Sequence, residues 1–275
     1  MGLVRCTGEL PMSGRVLLFL ILALLARTSF ASDGVLKINQ ACATSSTGCF
    51  PGDTAGFPVT IGQTGSYRLT GNLSVPLNVT AIQTNAVNVT LDLGGFIVNG
   101  ANVCAGYPTT GCSVTNGNPG ISSAQYLVVV RNGSVSAMGG DCISLTGRSS
   151  EVDRVRALSC GRNGILVGGT GRITRSFAGA NVTVGIGLDA GGYAEGHEAR
   201  ANGGIGIYLS TLLSITQGGE LIGNRAFDNG SQGIFAQIGG DGVLVSRNVI
   251  SRNAVLGIGD VPSSLGDNLC NGTRC

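Results

Sequence analysis

Apolar positions in the second half of the chain alternate with polar ones in short runs, without the spacing of an amphipathic helix. GNRAFDNGSQGI (223–234) and RNVISRNAVLGI (247–258) share one template: an Asn, a second Asn five residues later, and an Ile, preceded by Gly, five residues after that. A period of two predicts strands, and Gly and Asn between the runs predict turns. Because strands this short cannot bury an apolar side alone, we expect successive copies to stack.

Five copies of the template align on several columns at once. The Gly-Ile step, or its equivalent, gives the anchors Ile143, Ile165, Ile186, Ile205, Ile234 and Ile258. The column of the second Asn holds Cys160, Asn181, Asn202, Asn229 and Asn253. An apolar column holds Ala157, Ala178, Ala199, Ala226 and Ile250. The column of the first Asn holds Val155, Ser176, His197, Asn224 and Asn248.

These columns predict a solenoid in which each strand pairs in parallel with the strand one coil away, about 4.8 Å along the axis. Small and branched side chains would point inward, and turn Asn side chains would hydrogen-bond their neighbours above and below. We expect coils over 61–265, an N-terminal cap over 32–60 and a C-terminal cap over 266–275, because open ends expose unpaired strand edges. Capped ends favour a monomer.

The run VTLDLGGFIVNG, then VVVRNGSVS, then copies of N-x-[AI]-x-x-N-x-x-x-GI resemble the right-handed parallel β-helix superfamily typified by pectate lyases. In style they are similar to secreted bacterial β-helix repeat proteins without assigned activity. The resemblance covers about residues 60–260 and implies an all-β, single-stranded, right-handed parallel β-helix. It implies no single function, because the superfamily includes lyases, hydrolases, epimerases, adhesins and phage tailspikes.

Residues 1–31 read as a secretory signal peptide. Arg15 precedes the apolar run Val16–Ala26, and Ser29 and Ala31 give the small-x-small pattern before cleavage; Met12 is an alternative start. The run is too short to span a bilayer, and no second membrane segment follows. We therefore predict an exported mature domain, 32–275, located in a periplasm, on the cell surface or outside the cell.

Eight cysteines remain after the leader, an even number that suits an oxidising compartment. Proximity suggests the sequential pairs Cys42–Cys49, Cys104–Cys112, Cys142–Cys160 and Cys270–Cys275. Eight cysteines allow 105 connectivities, so the pairing stays open on sequence grounds. We predict no metal site and no cofactor, since the chain has no CxxC pair and its one histidine is far from any cysteine in sequence.

Charge excludes one class of partner. Charged residues make up only 12% of the chain, and the segment after residue 31 balances its acids and bases. No basic stripe lies beside aromatic residues, so we predict no nucleic-acid partner.

Two stretches are candidates for chemistry. In GYAEGHEARANGG (192–204), His197 stands between Glu195 and Glu198, and mannuronan epimerases of this fold use a His beside acids. The motif Gly196-His197-Glu198 lacks the Asp-Pro that precedes His in that family. His197 also fits the polar column as one member of a ladder.

The second stretch is the exposed side of the strand after each anchor. Counting three residues onward predicts Asp189, Tyr208 and Gln237 in a line about 5 Å apart, suited to a sugar chain. An ordinary solvated strand face explains this pattern too.

Two functions follow from these candidates. The first is a scaffold that binds a glycan or another surface partner without catalysis, using Asp189, Tyr208 and Gln237. The alternative is a polysaccharide-active enzyme, a lyase or epimerase before a hydrolase, with Asp189 or His197 involved. The arrangement of Asp189, His197 and an arginine such as Arg200 or Arg225 distinguishes them.

Overall fold

A computed structural model describes residues 34–210, 218–237, 242–259, 263–264 and 266–275. The predicted signal peptide lies outside these residues. Val35–Cys275 forms one unit, built as a parallel β-helix in which each coil carries three short strands. We call the three sides of the coil face 1, face 2 and face 3, in the order in which the chain visits them.

Face 1 is a nine-stranded parallel sheet. Its strands are Val59–Ile61, Ile82–Thr84, Ile121–Ser123, Ile143–Leu145, Ile165–Val167, Ile186–Leu188, Ile207–Ser210, Gln232–Gln237 and Val255–Gly259.

Faces 2 and 3 belong to one continuous sheet of 18 strands. Face 2 holds Val35–Ile38, Gly65–Leu69, Val89–Asp92, Arg172–Thr174, Tyr193–Glu195, Gly219–Ile222, Val243–Ser246 and Ser263–Ser264. Face 3 holds Leu73–Ser74, Ile97–Asn99, Phe177–Gly179, Glu198–Arg200, Arg225–Phe227, Val249–Ser251 and Leu269–Cys270. Two long strands, Val128–Ser136 and Glu151–Leu158, run across both faces.

Stacked apolar columns form the core. On face 1, Ile143, Ile165, Ile186, Ile207 and Ile234 pair in register, and all five are fully buried. On face 3, Ala157, Ala178, Ala199, Ala226 and Ile250 form the predicted second column. Alternate residues on each strand point outward, so each face carries outward columns that the core does not constrain.

The anchor Ile205 was wrong, because Ile207 occupies that column. The chain offers two Gly-Ile steps in a row, GGIGI, and the second is the structural one. The choice is fixed by the turn Asn, because the Ile follows the ladder residue by five positions in every aligned copy. Asn202 therefore selects Ile207.

Left-handed residues turn the chain at each corner. Corner 2, between faces 2 and 3, uses Asn132, Arg154, Arg175, Gly196, Gly223 and Arg247, with φ between 47° and 69°. Corner 3, between faces 3 and 1, uses Ala137, Ser159, Ala180, Ala201, Asp228, Arg252 and Asn271, with φ between 48° and 55°. One left-handed residue bends the backbone sharply, which lets strands of three residues follow one another directly.

A buried asparagine ladder closes corner 3, as the second Asn column predicts. Asn202 Oδ1 accepts from both the backbone N–H (3.1 Å) and Nδ2 (2.9 Å) of Asn181. Asn202 in turn donates to Asn229 Oδ1 and to the Ala178 carbonyl. Asn229 repeats the pattern with Asn253, and Cys160 N–H caps the other end on Asn181. The ladder thus satisfies backbone groups that the turn leaves unpaired inside the coil.

All eight cysteines of the described region form the four sequential disulfides. Cys142–Cys160 lies in the core, whereas Cys104–Cys112 ties a hairpin of Cys104–Ala105 and Gly111–Cys112 that leaves the coil. This hairpin lies along corner 3, where the Thr109 N–H donates to the Ala201 carbonyl at 3.0 Å.

The two predicted caps hold the remaining elements. In 32–60, the helix Gln40–Ala43 follows the first strand of face 2. In 266–275, Thr273–Arg274 folds back antiparallel on Leu269–Cys270.

Candidate functional site

His197 lies inside the coil at corner 2, in a ladder that matches the column of the first Asn. Its Nδ1 accepts from the Ser176 N–H at 3.0 Å, and its own N–H donates to Asn224 Oδ1 at 3.0 Å. The ladder continues through Asn248 to Asn268. Only 1% of His197 is exposed, so its ring cannot reach a ligand outside the coil.

The hydrogen bonds of His197 also fix its tautomer. Because Nδ1 accepts from a backbone N–H, the ring proton sits on Nε2, which donates to the Ile173 carbonyl at 2.8 Å. Burial lowers the pKa of His197 to about 4, against the pull of Glu195 and Asp153. His197 is therefore neutral near pH 7 and serves as one rung of the ladder.

Asp189 lies at the end of the face 1 strand Ile186–Leu188, on a different side of the coil from His197. It is half-buried, and this burial raises the pKa of its carboxyl group. Arg200 and Arg225 lie on face 3, so Asp189, His197 and an arginine do not meet in one groove. The structure thus separates the two residues proposed for catalysis.

Tyr208 stands one column away from the predicted line. The register pairs it with Gly187 below and Phe235 above, while Ser210 pairs with Gln237. The predicted line of Asp189, Tyr208 and Gln237 was wrong because it was counted from Ile205. Continuing the register places Asp189 in the column of Ser210 and Gln237.

Face 1 nevertheless brings these side chains together as an aromatic platform, which we define as Tyr208, Phe235, Ser210 and Gln237. The rings of Tyr208 and Phe235 stack with centroids 5.9 Å apart and planes 7° from parallel. The Tyr208 hydroxyl donates to Gln237 Oε1 at 2.5 Å, which joins the aromatic column to the polar one. All four residues are partly exposed.

A second feature, which the sequence analysis missed, is a groove along corner 2. Its volume is about 330 Å³, and four arginines line it together with one glutamate: Arg154, Arg156, Arg175, Arg225 and Glu198. The signal was present in the columns, since the residue before each member of the His197 column is the corner residue. That column holds Arg154, Arg175, Gly196, Gly223 and Arg247.

A third groove, on face 2, contains two carboxylates. Glu151 and Glu195 line it with Arg172, in a volume of about 410 Å³. Arg172 stacks over the Tyr193 ring at 4.3 Å and lies 3.9 Å from Glu195, which also accepts from the Tyr193 hydroxyl at 2.7 Å. Glu195 is thus held by two partners, one of them cationic.

Across the part of the chain that the structure describes, no group of three or more His, Cys, Asp or Glu side chains could hold a metal ion. Within the same residues, no helix is long and apolar enough to span a bilayer.

Comparison with known proteins shows which family this architecture belongs to. The family described as right handed beta helix region matches residues 120–264, slightly more than half of the chain. The chain therefore belongs to the right-handed β-helix family, as the resemblance of its repeats implied. No curated protein matches it.

One solved structure similar to this chain is the crystal structure of the Dettilon tailspike protein (gp208). It shares 12% identity with this chain, with a TM-score of 0.44. The match covers 72% of this chain and 45% of the tailspike, so this chain spans less than half of the tailspike's length.

Proposed function

We propose that the protein is an exported scaffold that binds polysaccharide along face 1 without catalysis. The observation that carries this proposal is the stacked pair of Tyr208 and Phe235 on adjacent coils. Two parallel aromatic rings on adjacent coils give face 1 an apolar patch that extends along the axis, and the C–H groups of a sugar can pack against such a patch. Four disulfides support export, because such bonds persist in oxidising compartments.

The polar column beside the rings supplies the groups that would orient a sugar. Ser210, Gln237 and Asp189 offer donors and acceptors next to the aromatic surface. A few polar groups beside an apolar floor are the usual composition of a small-ligand site. Asp189 brings one carboxyl group to this face, whereas hydrolysis of a glycosidic bond normally needs two.

Binding to a neutral polysaccharide tests the proposal directly. We would measure retention and product mass for the oxidised protein on a panel of neutral chains. We expect retention without change in product mass, weakened about five- to tenfold in Tyr208→Ala and in Phe235→Ala by loss of one ring of the stack. Tyr126→Ala is the matched control, because Tyr126 is exposed (58%) away from the platform. Equal weakening in the control would refute the assignment to face 1.

The alternative is a polysaccharide-active enzyme, and the carboxylate pair of the face 2 groove favours it. Glu151 and Glu195 beside Arg172 supply an acid, a base and a cation for an anionic sugar. Fragments or altered sugars that disappear in Glu195→Gln would support this enzyme. Turnover lost in Asp189→Ala would instead place the chemistry on face 1. Loss in His197→Ala would count as catalytic only if the variant folds, because His197 is part of the interior ladder.

A further inference from the structure

Corner 2 has a gap in its side chains. Gly196 and Gly223 occupy consecutive coils, with Arg175 on the coil before them and Arg247 on the coil after. Coils repeat every 4.8 Å or so, which places the two arginines about 14 Å apart along the axis. An added Cβ at Gly223 would meet no atom within 4 Å, so the backbone there is open to whatever lies in the groove.

The groove carries a local excess of positive charge. Four arginines against Glu198 leave three positive charges in excess, and Asp153 beneath them lowers the excess to two. Asp153 is shared between Arg154 (3.0 Å) and Arg175 (2.8 Å). Burial opposes the ionisation of Asp153, but bonds from Thr174 and Arg175 and the nearby arginine charges outweigh it and lower the pKa of Asp153. This carboxylate therefore stays charged and holds two of the arginines in place.

The other two arginines are positioned without a carboxylate. Arg156 lies over the Phe177 ring at 4.9 Å, and Arg225 lies over the Phe227 ring at 5.0 Å. In the described ranges neither forms an ion pair. Stacking on a ring orients a guanidinium while leaving its N–H groups at the edge available as donors.

We propose that this corner 2 groove binds an anionic polysaccharide, whose carboxylate or sulfate groups pair with Arg156 and Arg225. Guanidinium groups bind such oxyanions with two parallel hydrogen bonds, which gives both strength and orientation. The bare backbone at Gly196 and Gly223 lets a linear chain approach along the axis between the flanking arginines. The site lies away from face 1, so it does not depend on the platform proposed above.

A nucleic acid fits this groove less well. Binding of single strands relies on bases that stack on open aromatic faces, and here guanidinium groups cover Phe177 and Phe227.

The test measures affinity of the oxidised protein for polygalacturonate, which carries carboxylates, and for dextran sulfate, with dextran and single-stranded DNA alongside. We expect one of the two polyanions to bind, with affinity falling as salt rises. Arg156→Gln and Arg225→Gln should each weaken binding about tenfold or more, the usual effect of removing a charged hydrogen bond. The polymer that binds shows whether carboxylate or sulfate is recognised.

Matched controls distinguish loss of this site from a general loss of positive charge and from backbone strain at a substituted glycine. Arg148→Gln removes the same charge from an exposed residue outside the groove and should change affinity less than twofold. Gly223→Gln fills the groove and should abolish binding. Gly95→Gln places the same side chain at another left-handed glycine with open space around it and should not. Thermal unfolding checks that each variant folds.

Several outcomes would overturn the proposal: equal loss in Arg148→Gln, full binding by Gly223→Gln, preference for DNA, or no binding to either polyanion. Loss of polyanion binding in Arg156→Gln is scored separately from retention of dextran, which depends on the face 1 platform. Failure of this site and failure of the face 1 platform are therefore distinguishable.

Discussion

Acidification should destabilise the fold through His197, the one histidine of the chain. In the folded protein Nδ1 accepts from the Ser176 N–H, and protonation of Nδ1 would break that bond and bury a charge. The folded pKa is about 4, whereas an unfolded histidine titrates near 6.5. The unfolded chain therefore takes up the proton first, and the stability contributed by neutral His197 is complete above pH 6.5 and lost as pH falls towards 4.

The size of this loss follows from the two pKa values. A shift of about 2.5 units corresponds to about 3 kcal/mol at full protonation, and about 2 kcal/mol of it should be lost by pH 5. At pH 5 the carboxyl groups of Asp153, Asp228 and Asp267 stay ionised, because the pKa of each is lowered in the fold. The window from pH 8 to pH 5 therefore isolates the histidine from them.

His197→Asn is the matched variant, because asparagine fills this column on the next coils. Asn224 accepts through Oδ1 from the N–H of the ladder residue on the preceding coil, His197, and donates through Nδ2 to the Ala194 carbonyl. His197 makes the equivalent two bonds with Ser176 and Ile173. Guanidinium unfolding of an untagged protein at pH 8 and pH 5 would give the free energy of unfolding of each form. The wild type should lose about 2 kcal/mol more than His197→Asn over this window, and any cavity cost in the variant cancels in the difference. Equal losses in the two proteins would refute the reasoning.

Two further predictions concern the interior. Asn202→Ala removes the Oδ1 that accepts two hydrogen bonds from Asn181 and the Nδ2 that donates to the Ala178 carbonyl, so chemical unfolding should show a loss of about 3 kcal/mol; Asn85→Ala, on the exposed strand end, should change stability by less than about 0.5 kcal/mol. The double variant Cys142→Ala/Cys160→Ala removes the buried disulfide, whose cysteines are 18 residues apart. It should lower the free energy of unfolding by about 3 kcal/mol, because the unfolded chain gains conformational entropy. A loss below about 1 kcal/mol in either variant, measured by the same unfolding assay, would contradict its premise.

The sequence predicted the coil because its interior is repetitive in both spacing and chemistry. A buried amide ladder requires an acceptor at one position in every coil, and Asn181, Asn202 and Asn229 record that requirement directly. His197 was predicted to join the other ladder for the same reason. The exterior has no such constraint, so the outward columns could be aligned only after the inward register was correct.

The aromatic platform and the corner 2 groove show two ways in which the outward columns can be misaligned or missed from sequence. Tyr208 was assigned to the wrong column because GGIGI offers two anchors and the constant spacing from Asn202 was not applied to choose between them. The arginines of corner 2 are scattered in sequence, and Arg154 and Arg156 lie on a different coil from Arg175. Their proximity depends on the coil geometry. Gly223 leaves the groove open because it lies at a corner rather than in a strand, and the sequence alone did not show this.

Length variation between coils also has a physical location. The segment between the two ladders is constant, with five residues from His197 to Asn202, from Asn224 to Asn229 and from Asn248 to Asn253. Both of its ends are tied to the coil above and below, so an extra residue would break one ladder or the other.

Corner 1, between faces 1 and 2, carries no continuous amide ladder in the described coils, and in the coils that carry both ladders the additional length falls there. From Ile186 to Tyr193 the chain takes seven residues, whereas from Ile207 to Glu220, the same two columns one coil later, it takes 13. The extra residues begin directly after the strand that carries Tyr208. Proteins often place binding function on segments that connect the elements of a rigid scaffold. The lack of a ladder at corner 1 therefore supports the proposal that face 1 carries the glycan site, because insertions next to it do not disturb the coil.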